Sequence, residues 1–244
     1  MNKGLVFNLT TAFFPEDAEH ALKTLERLMK HLPFLVLTGG VASSYYFWKY
    51  DFPISQRKLS DLDVVIEDPS NLRSIITQDF LVSHYHPKNH KGKFHIMLVD
   101  PKTKIRIDVF PFLSKANERV QTVNIRNVAF SILSLEDLVC RLLSNCAGLI
   151  ENKEVDPKYF VTMLSLFGVS DRIVIRKIWE EYRKEGQNFD DTYCAILNQV
   201  KNKPELLKKI IYSQDLNHSC KECQPIAGIP LATNQQVFDL LRYV

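Results

Sequence analysis

Residues 34–67 read FLVLTGGVASSYYFWKYDFPISQRKLSDLDVVIE, and this stretch decides how the rest of the chain is understood. Phe34-Leu35-Val36-Leu37 is a short apolar run of the kind that fits a buried strand. Thr38-Gly39-Gly40 interrupts it, and Val41 to Tyr50 then carries a helical pattern rich in aromatics. After a polar loop, Ser60-Asp61-Leu62-Asp63-Val64-Val65-Ile66 forms a second strand-like run with carboxylates at its start. Residues two apart in a strand point to the same side, so Asp61 and Asp63 project together. Adjacent carboxylates repel unless a cation sits between them, and a hard divalent metal is the usual answer. That pairing points first to phosphate chemistry.

Working toward the N-terminus, Pro15 to Leu32 has the stripe of an amphipathic helix, with Ala21, Leu25, Leu28, Met29 and Leu32 on one side and acidic residues in the first turns. Toward the C-terminus, Asp68-Pro69 is a good start for a helix over Ser70–Phe80. Strands are expected at Leu81–His86, Lys93–Val99 and Lys104–Phe110, the last two joined as a hairpin by the turn sequence Asp100-Pro101-Lys102-Thr103. Alternation in the third strand puts Ile105, Ile107 and Val109 on one face and Arg106, Asp108 and Phe110 on the other. Further short strands are expected between Arg119 and Leu133. At Ser134 the pattern changes: Ser134-Leu-Glu-Asp137 is a variant capping box, and helices are expected over Leu135–Ile150, Pro157–Phe167, Asp171–Lys184, Asp190–Val200 and Pro204–Tyr212. The expected fold class is α+β, a mixed sheet flanked by helices and followed by a helical region. Three parts follow: a core over 1–133, a helical region over 134–214 that completes the active-site cleft, and a tail over 215–244.

Composition bounds the function. The chain has 244 residues, an ordinary apolar fraction of 45% and a formal charge of +3, which permits an anionic substrate without arguing for a nucleic-acid binder. No apolar run reaches the length of a membrane span, and MNKGLVFNLTTAFFPEDAEH has no signal-peptide core, so a cytoplasmic protein without membrane contact is expected. Five cysteines, an odd number, are read as reduced thiols.

Asp108 lies in an otherwise apolar strand, where a carboxylate is costly to bury without a partner. Placed beside Asp61 and Asp63, it makes a set of three that can hold two divalent ions in line for phosphoryl or nucleotidyl transfer. Gly39-Gly40 before a helix supplies the other half, a backbone free of β-carbons and a helix N-terminus that attracts phosphate. Gly-Gly-x-x-Ser, then Asp-x-Asp opening a strand, then a lone Asp on a later strand resembles the nucleotidyltransferase superfamily, the DNA polymerase β-like fold, over roughly residues 20–115. Past that core, Leu135-Glu-Asp-Leu-Val-Cys-Arg141-Leu and Asn152-Lys153-Glu-Val-Asp156-Pro-Lys-Tyr-Phe160 are similar to the helical part of AbiEii-type nucleotidyltransferases, which include toxins of toxin–antitoxin systems. That family carries a Lys and a Lys-Asp-x-x-Asp-like segment where this chain has Arg141 and Lys153-Glu-Val-Asp156, and an Arg can clamp phosphate in place of the Lys.

The resemblance implies Mg²⁺ on Asp61, Asp63 and Asp108, with Asp108 helping to deprotonate the acceptor hydroxyl. It implies that Gly39, Gly40 and Ser43 cradle the β- and γ-phosphates of an NTP such as ATP, and that Arg141 and Lys153 stabilise the departing pyrophosphate. The acceptor stays open among RNA, protein and small-molecule hydroxyls, as does an antitoxin partner. An antibiotic- or metabolite-modifying transferase and a catalytically inactive nucleotide-binding module are the alternatives. Taken one at a time, Asp61 reads as a cap, Asp63 as an exposed strand residue, Asp108 as a partner of Arg106 or Lys104, Asp156 as an N-cap, and Arg141 and Lys153 as surface cations. His84, His86, His90 and His95 lack tetrahedral spacing and read as a polar sheet edge. His218-Ser-Cys220-Lys-Glu-Cys223 has three ligand types for Zn²⁺ but no fourth. A zinc-knuckle remnant, a redox pair and buried thiols all fit Cys220 and Cys223.

Overall fold

The computed structural model describes residues 6–59, 61–68, 72–85, 96–113, 115–154 and 156–204. They fall into two compact units, one built from the described parts of 1–112 and 120–132 and the other from 113–119 and 133–204. The first is organised on an eight-stranded mixed sheet: β1 (Val6–Phe7), β2 (Val36–Leu37), β3 (Asp61–Ile66), β4 (Leu81–Tyr85), β5 (Ile96–Val99), β6 (Arg106–Pro111), β7 (Gln121–Ile125) and β8 (Val128–Ile132). Across the sheet the order is β1-β7-β8-β2-β3-β6-β5-β4. The chain is α+β, and its carboxylate strands β3 and β6 lie side by side in the middle of the sheet.

These two strands pair in parallel, in a register that sets Asp61 opposite Arg106 and Asp63 opposite Asp108. Period-two alternation then buries Leu62, Val64, Ile107 and Val109 completely on one face and collects the charged residues on the other. The expected β5–β6 hairpin forms, antiparallel, with Asp100 capping its turn by accepting from the Lys102 and Thr103 N–H groups. The short strands expected before Leu133 are the β7–β8 hairpin, turned by Arg126 and Asn127, both at positive φ.

Helix α1 (Pro15–His31) buries Ala18, Ala21, Leu22, Leu25 and Leu28, much as its stripe requires. One polar residue breaks that face: Thr24, fully buried, donates to Asp100 at 2.7 Å and meets the Thr103 hydroxyl, while Arg27 bonds the same carboxylate. Helix α2 (Gly39–Lys49) follows β2 directly. Two expectations are corrected. The helix over Ser70–Phe80 is, in its described part, a 3-10 turn at Ser74–Gln78, whose polar Ser74, Thr77 and Gln78 leave Ile76 as its one buried residue. The strand at Phe34 shrinks to Val36–Leu37, because Phe34 lies 86% exposed.

The second unit is helical: α3 (Leu135–Glu151), α4 (Pro157–Phe167), α5 (Arg172–Tyr182) and α6 (Phe189–Asn202). Each starts at a side-chain cap, on Ser134, Asp156, Asp171 and Asn188. Trp179, Phe160, Met163 and Leu143 fill its core. Buried Asp137 takes two hydrogen bonds from Arg119, one from the Tyr182 hydroxyl and one from Ser134. Among the described residues no helix is long and apolar enough to cross a membrane. The expected helix over Pro204–Tyr212, His86, His90 and His95, and the Cys220/Cys223 tail lie outside the described residues, except Pro204 itself.

Candidate active site

Gly39, Asp61, Asp63 and Asp108 come together on the central strands β3 and β6 and the glycine turn beside them. β2 runs antiparallel to β3, and the ladder continues one step past its end, where the Thr38 N–H donates to the Asp63 carbonyl at 3.0 Å. That bond sets the glycine turn against the Asp-x-Asp strand. Gly39 takes a φ of +54°, and a β-carbon built there would stand 1.9 Å from Asp63 Oδ2. The left-handed backbone and the missing side chain are therefore both required by the carboxylate beside it.

Helix α2 starts at that glycine without a side-chain cap: Thr38 is its N-cap, yet the Thr38 hydroxyl is buried and makes no hydrogen bond. The dipole and the N–H groups of the first turn are left for an acceptor from elsewhere, as an anion site needs. Gly40 follows, and a β-carbon there would lie 3.0 Å from Nη2 of Arg57. Arg57 is held in place from its own backbone, which bonds Ala12 and Phe14 on both sides, and by the Phe13 ring 4.6 Å beneath its guanidinium. Ser43 lies half-exposed within the second turn. Its neighbour Ser44 turns inward and donates to the Gly40 carbonyl at 2.8 Å.

Asp61, Asp63 and Asp108 share one face of β3 and β6. A single nitrogen, Arg106 Nη2, lies 3.0 Å from both Asp61 Oδ2 and Asp108 Oδ2. Burial works against the charged guanidinium, but the carboxylates of Asp108, Asp61 and Asp63 outweigh it and raise its pKa. Burial also penalises the Asp108 carboxylate. Arg106 opposes that and the charges of Asp63 and Asp61 add to it, so the Asp108 carboxyl is pushed up to about 7. The other Asp108 oxygen, Oδ1, is buried and has no hydrogen-bond partner.

As the side chains stand, no group of three or more His, Cys, Asp or Glu among the described residues could hold a metal ion. At the three aspartates, Arg106 stands between two of them. The donor chemistry nonetheless suits Mg²⁺: the donors are hard carboxylate oxygens, and one of them is buried without a partner.

Arg141 and Lys153 belong to the helical unit. Arg141 is half-buried on α3 near Tyr182, and Lys153 is exposed in the turn after it at a φ of +59°. Asp156 caps α4 by accepting from the Lys158 N–H. His84, on β4, is buried. Two more residues stand at the site: Arg106, which the sequence offered only as a partner of Asp108, and Arg57, which it did not offer at all. Arg106 had a signal, being two residues before Asp108 and so on its face. Arg57 had none, because its place depends on a backbone bridge to Phe13, 44 residues away.

No protein-family model matches the chain, and no curated protein matches it either. Among solved structures, it is similar to an antigenic nucleotidyltransferase-like protein from Paracoccidioides brasiliensis at 14% identity, over 82% of this chain and 96% of that one, with a TM-score of 0.45. It is also similar to JHP933 from Helicobacter pylori at 12% identity, over 81% and 95%, with a TM-score of 0.35. The functional reading therefore stands on the site's own geometry and on its sequence motif.

Proposed function

We propose that this chain is a Mg²⁺-dependent nucleotidyltransferase, moving a nucleoside monophosphate from an NTP to a hydroxyl of an RNA, a protein or a small molecule. One observation carries the reading: Asp61, Asp63 and Asp108 lie on one face of neighbouring central strands, with Asp63 against the glycine that opens an uncapped helix. A set of carboxylates beside a phosphate-binding helix start suits a reaction in which a triphosphate is held and opened.

In this scheme the first-turn N–H groups at Gly39 and Gly40 donate to the outer phosphates, and the Arg57 guanidinium beside Gly40 adds charge. Asp61, Asp63 and Asp108 would hold Mg²⁺, which neutralises charge on the triphosphate and acidifies the acceptor hydroxyl when bound. Asp108, whose Oδ1 is buried without a partner, would take up the acceptor's proton on a carboxylate oxygen. The incoming oxygen then displaces pyrophosphate. Positioning supplies most of the rate, as the reacting groups are otherwise ordinary. The finer reading, a toxin-like enzyme of the AbiEii type with an antitoxin partner, draws on the sequence likeness of residues 135–142 and 152–160, from which Arg141 and Lys153-Glu-Val-Asp156 depart in detail.

A second reading has its own observation. Arg106 already pairs with two of the three carboxylates, as it would in a domain that binds nucleotide without turnover. Equilibrium binding of labelled NTPs with Mg²⁺ tests what the two readings share. The parent is expected to bind, and Asp61→Ala/Asp63→Ala to lose at least about tenfold in affinity, the equivalent of 1.4 kcal/mol. Equal binding by both proteins would mean that the nucleotide sits elsewhere.

A further inference from the structure

We propose that Arg106 is a tethered counter-cation that competes with divalent ions for Asp61 and Asp108, and so sets the ion concentration at which the site loads. The inference rests on the metal-site reading above and concerns this chain's own residue, not the ion. Arg106 is not a surface side chain that drifted in. Its backbone is paired directly with Asp61 in the parallel β3–β6 ladder, its side chain is only 15% exposed, and one guanidinium nitrogen bonds both carboxylates. A rigid strand thus delivers a positive charge into the space that a divalent ion needs.

The physical role is specific. Without a cation, three carboxylates on one face, Asp108 among them buried, would repel one another. Arg106 offsets part of that repulsion by pairing with Asp61 and Asp108. The same contacts must be given up, or shared, when an ion binds to Asp61 and Asp108. Loading is therefore an exchange of one cation for another. Arg106 does not touch the reacting atoms in this scheme and acts as a positioning residue.

Competition and scaffolding make opposite predictions, and Mn²⁺ separates them. Free aquo-Mn²⁺ is counted by electron paramagnetic resonance during titration of the full chain, with no nucleotide present. Arg106→Gln is expected to bind Mn²⁺ about tenfold more tightly than the parent, or better, because it removes a full positive charge within contact distance of the ligands. Adding Asp61→Asn to Arg106→Gln should return the affinity to the parent's weak level or below. Arg106→Lys keeps the charge but cannot span two carboxylates with one planar group, so its affinity should fall between those of parent and Arg106→Gln. If Arg106→Gln fails to unfold cooperatively, Arg106→Lys alone decides. Binding by the folded variants no tighter than the parent's overturns the proposal, as does binding indifferent to Asp61→Asn. The tenfold gain in a protein that transfers no nucleotide would leave this inference standing and remove the transferase reading.

Discussion

At the residue scale, the two adjacent glycines are not equivalent. A side chain at position 39 would enter the Asp63 carboxylate and would require a left-handed backbone, whereas one at 40 would meet only the far end of the Arg57 side chain. Gly39→Ala is expected to cost about 2 kcal/mol or more in urea unfolding and to abolish NTP binding, since Asp63 must move aside. Gly40→Ala should change stability by less than about 1 kcal/mol, as the helix favours Ala and the tip of the Arg57 guanidinium need move only slightly over the Phe13 ring. It should still weaken NTP binding. Equal losses for the two variants would show that the Asp63 contact does not matter. Much of this site could be read in the sequence because Asp61, Asp63 and Asp108 obey strand alternation and Gly-Gly opens a helix. Arg106 was legible on the same ground as a partner of Asp108, yet its second partner, Asp61, could be known only from the β3–β6 register. Arg57 was hidden because chain-distant backbone pairing has no local signature.

At the element scale, α1 is tied to the β5–β6 turn by a buried carboxylate. Burial pushes the Asp100 carboxyl up, but hydrogen bonds from Thr24, the Lys102 N–H, Arg27 and Thr103 overcome this and hold its pKa below the ordinary value. A carboxyl depressed in the folded state stabilises fully above its unfolded pKa of about 3.9, and that contribution is lost as pH falls through the lower, folded value. Asp100→Asn is therefore expected to be about 2 kcal/mol less stable than the parent at pH 7. The gap should narrow progressively below pH ~4, as followed by urea unfolding at several pH values. A gap that stays constant into acid would assign the loss to packing, not to charge. Element types followed largely from periodicity, with α1 and the four later helices starting where their capping residues or Pro15 stand. The failures are instructive. Ser70–Phe80 carries a plausible start signal and, in its described part, buries Leu72, Ile76 and Phe80, yet only Ser74–Gln78 is helical and that as a 3-10 turn. A start signal and a buried spacing do not by themselves sustain an α-helix. Phe34 shows that an apolar residue at the end of a run need not belong to the strand.

At the scale of the whole molecule, the chain divides its work between a sheet unit with the carboxylates and a helical unit with a charged core of its own. In the latter, Arg119 reaches Asp137 with two nitrogens and Glu181 with two, and the Tyr182 hydroxyl donates to the same Asp137. Removing one partner of a buried pair leaves the other charge uncompensated. Arg119→Met should thus cost about 3–5 kcal/mol, read by thermal or urea unfolding. A loss under about 1 kcal/mol would place the network among weak surface pairs. The change of character at Ser134 was plain from its capping box, but the membership of Arg119 was not, since it precedes the β7–β8 hairpin and joins the helices only through its charge partners. The sheet order, with β3 and β6 at its centre, was likewise beyond local pattern, and it is what turns three separated aspartates into one site.

The central claim is nucleotidyl transfer from that site. Its most direct test incubates the chain and Mg²⁺ with each α-labelled NTP in turn and a fractionated cell extract, with Asp61→Ala/Asp63→Ala as the control. Label is expected in one of the RNA, protein or small-molecule fractions, from the parent only, which would also name the acceptor class. Label that appears equally with the variant, or from neither protein although the parent binds NTP, would contradict the transferase reading and leave a nucleotide-binding domain.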